Sequence, residues 1–232
     1  MVSVAGIRDA IIHLVFPHVC CGCMSENLDR HNILCMRCMA ALPETHFEIL
    51  AGNPVEKRFW GRLQVEQATA QYYFTRESLI QQLMHQFKYK KNREIGFYLG
   101  KIMGETIRKS GRFAVDALVP LPLFASREKK RGYNQSAVLC DGMAESLKLP
   151  VLKDVIIRSH HTETQTRKGR IDRWQNMEGK FELVRPKAIE GKHLLLVDDV
   201  ITTGATLEAC GTELLTAGNV KLSVATLCSA GR

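Results

Sequence analysis

Residues 194–197 of this 232-residue chain read LLLV with no polar residue among them, and they run directly into DDVITTGAT. A strand with one face in water alternates polar and apolar residues. An unbroken apolar run marks a strand buried on both faces, as at the centre of a parallel sheet covered by helices. Successive side chains leave a strand in opposite directions. Asp198 and Asp199 are therefore expected where the strand stops and the chain turns, since only there can both reach one ligand. That place is the carboxyl edge of the sheet, where open α/β sheets bind their ligands.

The remaining pattern agrees with such a sheet. VEQATAQYYFT alternates like a strand, SLIQQLMHQFKY and EIGFYLGKIMGETIRKS have helical spacing, and VDALVPLPL is a short buried strand ended by prolines. SAVLCDGMAESLKL is again helical, TLEACGTELLTAG is a helix closed by Gly218, and VKLSVATLCS is a last strand. This predicts an α/β fold with a mostly parallel sheet flanked by helices. After the acid pair come Thr202, Thr203, Gly204, Ala205 and Thr206, then a helix whose Leu207, Cys210, Leu214 and Leu215 form one apolar face. Free N–H groups at that helix start, three hydroxyls and a glycine permitting close approach can cradle a phosphate. Sugar hydroxyls or a divalent cation would relieve the repulsion between the two carboxylates. The plain alternative is an Asp/Thr cap on an ordinary strand-to-helix turn. The G-x-x-x-x-G-K-[ST] pattern is absent, which disfavours an ATPase.

Five of the eight cysteines fall within CCGCMSENLDRHNILCMRC. Cys20 with Cys23, and Cys35 with Cys38, form two C-x-x-C knuckles at the spacing of a tetrahedral four-cysteine zinc site, and metal binding would supply folding free energy that a segment poor in large apolar residues lacks. The alternatives are reduced surface thiols or a redox pair, with Cys21, His18 and His31 as substitute ligands. Cys140, Cys210 and Cys228 lie in apolar-periodic segments and read as small buried hydrophobes. No apolar run reaches the roughly 18 residues needed to span a bilayer. VAGIRDAIIHLVFP reads as an amphipathic helix rather than a signal peptide, so a cytoplasmic protein is expected. The two prolines and two glycines of MAALPETHFEILAGNPVEKRFWG put a boundary near residues 52–54, giving a small N-terminal zinc-ribbon-like domain over 1–53 and a larger domain over 54–232.

The net charge of +8 favours a phosphorylated or polyanionic partner. Thirteen basic residues sit in three stretches: Lys88, Lys90, Lys91 and Arg93; Arg127, Lys129, Lys130 and Arg131; and Arg158, Arg167, Lys168, Arg170 and Arg173. Only Glu128, Glu163 and Asp172 oppose them there, so the rest of the chain is slightly acidic. Any one run can be a solvated face. REKKRGYNQ, however, directly follows a buried strand, as a ligand loop should, and RSHHTETQTRKGRIDRWQN is polar, glycine-bearing and too long for a tight connection, its His160 and His161 read as solvent-exposed. Tyr89, Tyr133 and Trp174, interleaved with these cations, could instead serve as stacking platforms for single-stranded nucleic acid, or simply pack against the core.

LLLVDDVITTGAT resembles, across its whole length, the signature of type I phosphoribosyltransferases. That resemblance implies a site for 5-phosphoribosyl 1-pyrophosphate with Mg2+. It makes Asp198 and Asp199 the pair facing the ribose hydroxyls, and Thr202, Thr203, Gly204, Ala205 and Thr206 the loop around the 5-phosphate. VPLPLFASREKKRGYNQSAVL, and TETQT followed by Arg173, Asn176 and Phe181, are similar to segments of one branch, the ComF family, which also carries an N-terminal four-cysteine element. QTRKGRIDRW departs from that pattern, where relatives have Leu-Ser after the Gln-Thr. By this resemblance Lys88, Arg127, Arg131, Asn134, Gln135 and Arg173 join the substrate-contact candidates, residues 158–176 form a lid that closes over the substrate, and a role in DNA uptake is implied. Two classes of function follow: a phosphoribosyltransferase whose acceptor is unspecified, or a binding module that senses a nucleotide-like ligand and engages single-stranded DNA or a helicase.

Overall fold

The computed structural model describes residues 18–26, 28, 32–159 and 180–231. The expected N-terminal helix, His31, His160, His161, Arg173, Trp174, Asn176 and most of the expected lid lie outside the described residues. Strands β1 (Ala68–Phe74), β2 (Ala117–Pro120), β5 (His193–Ile201) and β6 (Lys221–Ala230) form one sheet in the order β1-β6-β5-β2, with every pair parallel. Strands β3 (Ile156–Ser159) and β4 (Lys180–Leu183) form a separate antiparallel pair that periodicity did not single out. Leu194 pairs with Ala117 on one side and Leu222 on the other, and residues 194–197 are fully buried, as the apolar run requires.

Each face of the sheet carries its own hydrophobic layer. On the first lie α3 (Leu79–Tyr89), α4 (Arg93–Ser110) and α6 (Gln135–Leu147), with Leu83, Phe87, Leu99, Met103, Leu139 and Met143 packed against Leu195, Val197 and Leu227. Helix α3 buries Ile80, Leu83, Met84 and Phe87 at helical spacing, and Ser78 caps it by accepting from the Gln81 N–H. The second face is covered by α7 (Ala205–Leu214), the short α2 (Pro54–Lys57) and a 3-10 turn (Phe47–Ile49). Asn53 caps α2, its oxygen accepting from the Val55 and Glu56 N–H groups while its amide donates to the carbonyls of Phe47, Leu50 and Ala68.

The cysteine-bearing segment, with α1 (Met36–Ala40), rests on the first layer. Cys20, Leu34, Cys38 and Leu42 share its core, and the Gln86 amide of α3 donates to the Cys21 carbonyl. The chain then runs along the outer edge of β1, where Tyr73 N–H meets the Pro43 carbonyl at 2.8 Å and Thr45 N–H the Gln71 carbonyl at 3.1 Å. Residues 68–72 are buried on both sides instead of alternating because each face of the sheet carries a hydrophobic layer, while this strip pairs with the backbone of the strand's outer edge.

Three expectations need correction. Strand β5 does not stop at the acid pair: it stays paired with β6 as far as Ile201 opposite Ser229. REKKR is not a loop but the body of helix α5 (Ala125–Arg131), closed by Gly132 in the left-handed region, because a run of good helix formers follows the extended Phe124. Helix α7 closes at Leu215, before Gly218. Gly218 instead supplies a carbonyl to the Gly191 N–H.

Helices α4 and α6 touch backbone to backbone. A Cβ at Gly142 would come within 2.1 Å of the Phe97 carbonyl oxygen, and one at Gly100 within 2.3 Å of that of Leu139. Neither carbonyl can swing away without breaking its helix. Gly142→Ala is therefore expected to cost about 3 kcal/mol, lowering the melting temperature by roughly 6–12 °C. Gly231→Ala, where an added Cβ meets nothing, should leave it unchanged in the same thermal scan.

Candidate functional site

The opening beside the acids comes from the neighbouring strand. β2 ends at Pro120, paired with Val197, and the Leu121 N–H makes a last bond to the Val197 carbonyl at 2.9 Å. Pro122 has no N–H to continue the ladder. From Asp198 onward β5 keeps β6 on one side, while the other side faces the start of α6.

Asp198 Oδ1 accepts from the Ser136 hydroxyl at 3.0 Å and from the Asp199 N–H at 2.8 Å. Ser136 is held in the first turn of α6 because Asn134 caps that helix, accepting from the Ser136 N–H at 3.0 Å and donating to the Leu121 carbonyl at 3.0 Å. Asp199 Oδ2 lies 2.9 Å from Lys88 Nζ in the last turn of α3. Desolvation, together with repulsion from Asp199, lifts the Asp198 carboxyl to about 7, against the pull of the Asp199 N–H, Ser136 and Lys88.

Beyond Ile201 the chain turns through Thr202, Thr203 and Gly204 into α7. Thr202, Thr203, Ala205 and Thr206 are exposed, and Gly204 is buried with φ +84°. The Ala205 N–H reaches the Thr203 hydroxyl at 3.4 Å, and the N–H groups of the helix's first turn lack intrahelical acceptors. The acids and the loop thus occupy one edge of the sheet.

Two arginines absent from the sequence reading brace this loop from outside. Arg58 donates to the carbonyls of Ile201 (3.1 Å), Thr202 and Ala230 (3.0 Å) and to the Ser229 hydroxyl (3.0 Å). Arg62 donates to the Thr203 carbonyl at 3.3 Å and pairs with Glu208. They line a cavity of about 510 Å³ with Thr202, Thr203, Ala230 and Gly231. VEKRFWGR carried no signal for this role, because the acceptors lie about 140 residues away in the chain.

The other substrate candidates are placed differently. Gln135 is 2 % exposed; its amide oxygen accepts from Arg131 at 2.6 Å and its nitrogen reaches the Tyr133 carbonyl. Arg127 lies over the Phe124 ring on α5, a helix with no buried residue. Tyr133 is not a stacking platform: it is 6 % exposed, stacked on Phe87, with its hydroxyl on the Phe87 carbonyl. Tyr89 is 63 % exposed.

Cys20, Cys23, Cys35 and Cys38 converge, with all four Sγ atoms within 4.8 Å of one another and Cys23 and Cys35 at 3.7 Å. Four thiolates 2.3 Å from one zinc ion would stand about 3.8 Å apart, so the cluster fits a tetrahedral ion. Burial opposes the Cys20 thiolate, but N–H groups of Cys35, Cys23 and Gly22 outweigh it and hold the thiol down at about 6. Cys21 is not among the converging thiols, and His18 bonds the Asn32 carbonyl at 2.8 Å. Cys140, Cys210 and Cys228 are buried, as their periodicity suggested.

The raised Asp198 carboxyl gives stability a defined pH dependence. Between about 4 and 7 the folded chain holds a proton that the unfolded chain has released, so this group's contribution falls as pH rises through that window. Asp198→Asn keeps the acceptor for Ser136 and removes the charge. Its melting temperature should exceed the parent's by several degrees at pH 8 and match it at pH 4. Parallel pH profiles for the two proteins would refute this.

A family model described as a phosphoribosyl transferase domain matches residues 134–232. DNA utilization protein YhgH of Escherichia coli O157:H7 is 30% identical over 213 residues, spanning 90% of this chain and 89% of that protein. Competence protein F of Haemophilus influenzae is 34% identical over 130 residues, 54% of this chain and 57% of that one. Competence protein ComFC of Bacillus subtilis is 30% identical over 151 residues, 62% of this chain and 57% of that one. With its α/β architecture, four-cysteine cluster and matching transferase domain, the chain belongs to the ComF/YhgH family.

Proposed function

We propose that this protein binds 5-phosphoribosyl 1-pyrophosphate together with Mg2+ and acts in DNA uptake. The observation that carries the reading is the shared edge: two recessed carboxylates lie beside a bend with exposed Thr202 and Thr203 that opens helix α7. Asp198 and Asp199 accept from the ribose hydroxyls, and Thr202, Thr203, Gly204, Ala205 and Thr206 receive the 5-phosphate. Bound Mg2+ supplies neutralising charge to the pyrophosphate. Lys88 pairs with Asp199 and holds it in place, and a carboxylate there favours positive charge developing at the anomeric carbon. Arg127 and Arg131, on the helix after β2, offer charge to the pyrophosphate, as does Arg173. The association with DNA rests on the names of the relatives, a DNA utilization protein and two competence proteins.

The four thiolates are assigned to one structural zinc ion, supported by their fit to a tetrahedron. Loss of the ion would leave Cys20 and Cys38 as buried thiols under the segment that covers α3.

A second reading is favoured by helix α5, whose Arg127, Lys129, Lys130 and Arg131 stand on a segment with no buried residue, with Lys90 and Lys91 exposed elsewhere. This basic surface suits the backbone of single-stranded DNA, or a helicase partner that handles it. With about five cations engaged, affinity for an oligonucleotide should fall roughly a hundredfold between 50 and 200 mM salt. A flat salt response rules this reading out.

Titration calorimetry with the sugar pyrophosphate and Mg2+ tests the main reading. The wild type should bind, and Asp198→Asn with Asp199→Asn should weaken binding at least tenfold while leaving oligonucleotide affinity equal or higher. Absence of binding by the wild type ends the proposal. Metal analysis should find one zinc per chain. Cys23→Ser, an exposed position where packing changes little, should release it and lower the melting temperature.

A further inference from the structure

The two arginines behind the bend do more than brace it. In a trans peptide the N–H points opposite to the C=O of the same unit, and among the described residues there are no cis bonds. The carbonyls of Ile201, Thr202 and Thr203 are three consecutive acceptors, the first two held by Arg58 and the third by Arg62. The N–H groups sharing those peptide units belong to Thr202, Thr203 and Gly204. All three are thereby aimed away from the guanidinium groups. Three consecutive N–H groups turned to one side form an anion-holding nest.

We propose that Arg58 and Arg62 are positioning residues that set the direction of the N–H groups receiving the 5-phosphate, without touching the ligand; this rests on the sugar-phosphate reading above. Three further observations support it. Arg58 is tied at the same time to Ser229 and Ala230, so the bend is fixed to the end of β6 as well as to β5. Phe59, 1 % exposed, lies under Gly204, where an added Cβ would meet its ring at 3.3 Å, and this seats the segment bearing both arginines. Arg62 also neutralises Glu208, the one acid in the first turn of α7, whose charge would otherwise oppose a phosphate at that helix start. An acidic residue there and an anion site become compatible through this pair.

The test measures affinity for 5-phosphoribosyl 1-pyrophosphate and for inorganic pyrophosphate, each with Mg2+, in the wild type and in Arg58→Met, Arg58→Lys and Arg62→Met. Expected is a loss of tenfold or more for the sugar pyrophosphate in Arg58→Met and a smaller loss in Arg62→Met, with pyrophosphate affinity within twofold of wild type. Arg58→Lys, which keeps the charge and reaches fewer acceptors, should fall between. In NMR spectra the amides of residues 202–204 should shift on adding the sugar pyrophosphate to the wild type and respond less in Arg58→Met. Should Arg58→Met unfold, Arg58→Lys and Arg62→Met decide the matter. Unchanged affinity in the variants, or an equal loss for both ligands, overturns the positioning role and leaves the sugar-phosphate reading standing. No binding of the sugar pyrophosphate by the wild type overturns both.

Discussion

The site depends on the unequal lengths of β5 and its neighbour β2. Over residues 194–197 β5 is hydrogen-bonded on both sides, which is why its side chains there are uniformly apolar. Pro120 and Pro122 end β2 at that level, while β6 accompanies β5 to Ile201. Asp198 and Asp199 thus emerge into a notch cut into one flank of the sheet, closed from the far side by the cap and first turn of α6. The polar groups of that turn are what make a recessed carboxylate tolerable, because an acid buried there without donors would cost several kcal/mol.

Charge is distributed around the notch with a definite polarity. Each acid has its own partner, Ser136 for Asp198 and Lys88 for Asp199. The guanidinium groups of Arg58 and Arg62 lie on the outside of the bend and are spent on carbonyls and on Glu208. Cations held against the backbone of the bend add to the positive potential there. The raised Asp198 carboxyl is the counterpart: a desolvated acid beside a second acid is held at the edge of ionisation near neutral pH.

Much of this was legible in the chain because it was local. The apolar run 194–197, the acids, the Thr/Gly bend and the two cysteine knuckles are contiguous or nearly so, and each has a period or spacing that the physics of strands, helix starts or tetrahedral ions demands. What was misjudged depended on distant partners. The expected end of β5 at its acids rests on the divergence of successive side chains; the strand runs on to Ile201 with its other flank free because β2, more than 70 residues upstream, ends early. For Tyr133 the chain leaves a stacking platform and a core residue both open, and the choice of the core comes from Phe87 on another helix. The Arg58 and Arg62 contacts have no local signature at all.

The strip of chain lying along β1 through Pro43 and Thr45 has a practical meaning for anyone dividing this protein at the seam suggested by its prolines and glycines. Severed near Gly52, the larger piece would be left with the Tyr73 N–H and the Gln71 carbonyl unmet on the outer margin of β1 and bare Ile80, Leu83 and neighbouring apolar side chains above it. Such a margin recruits another copy of itself, so clumping of the fragment would reflect a missing cover and not a defect in the sheet.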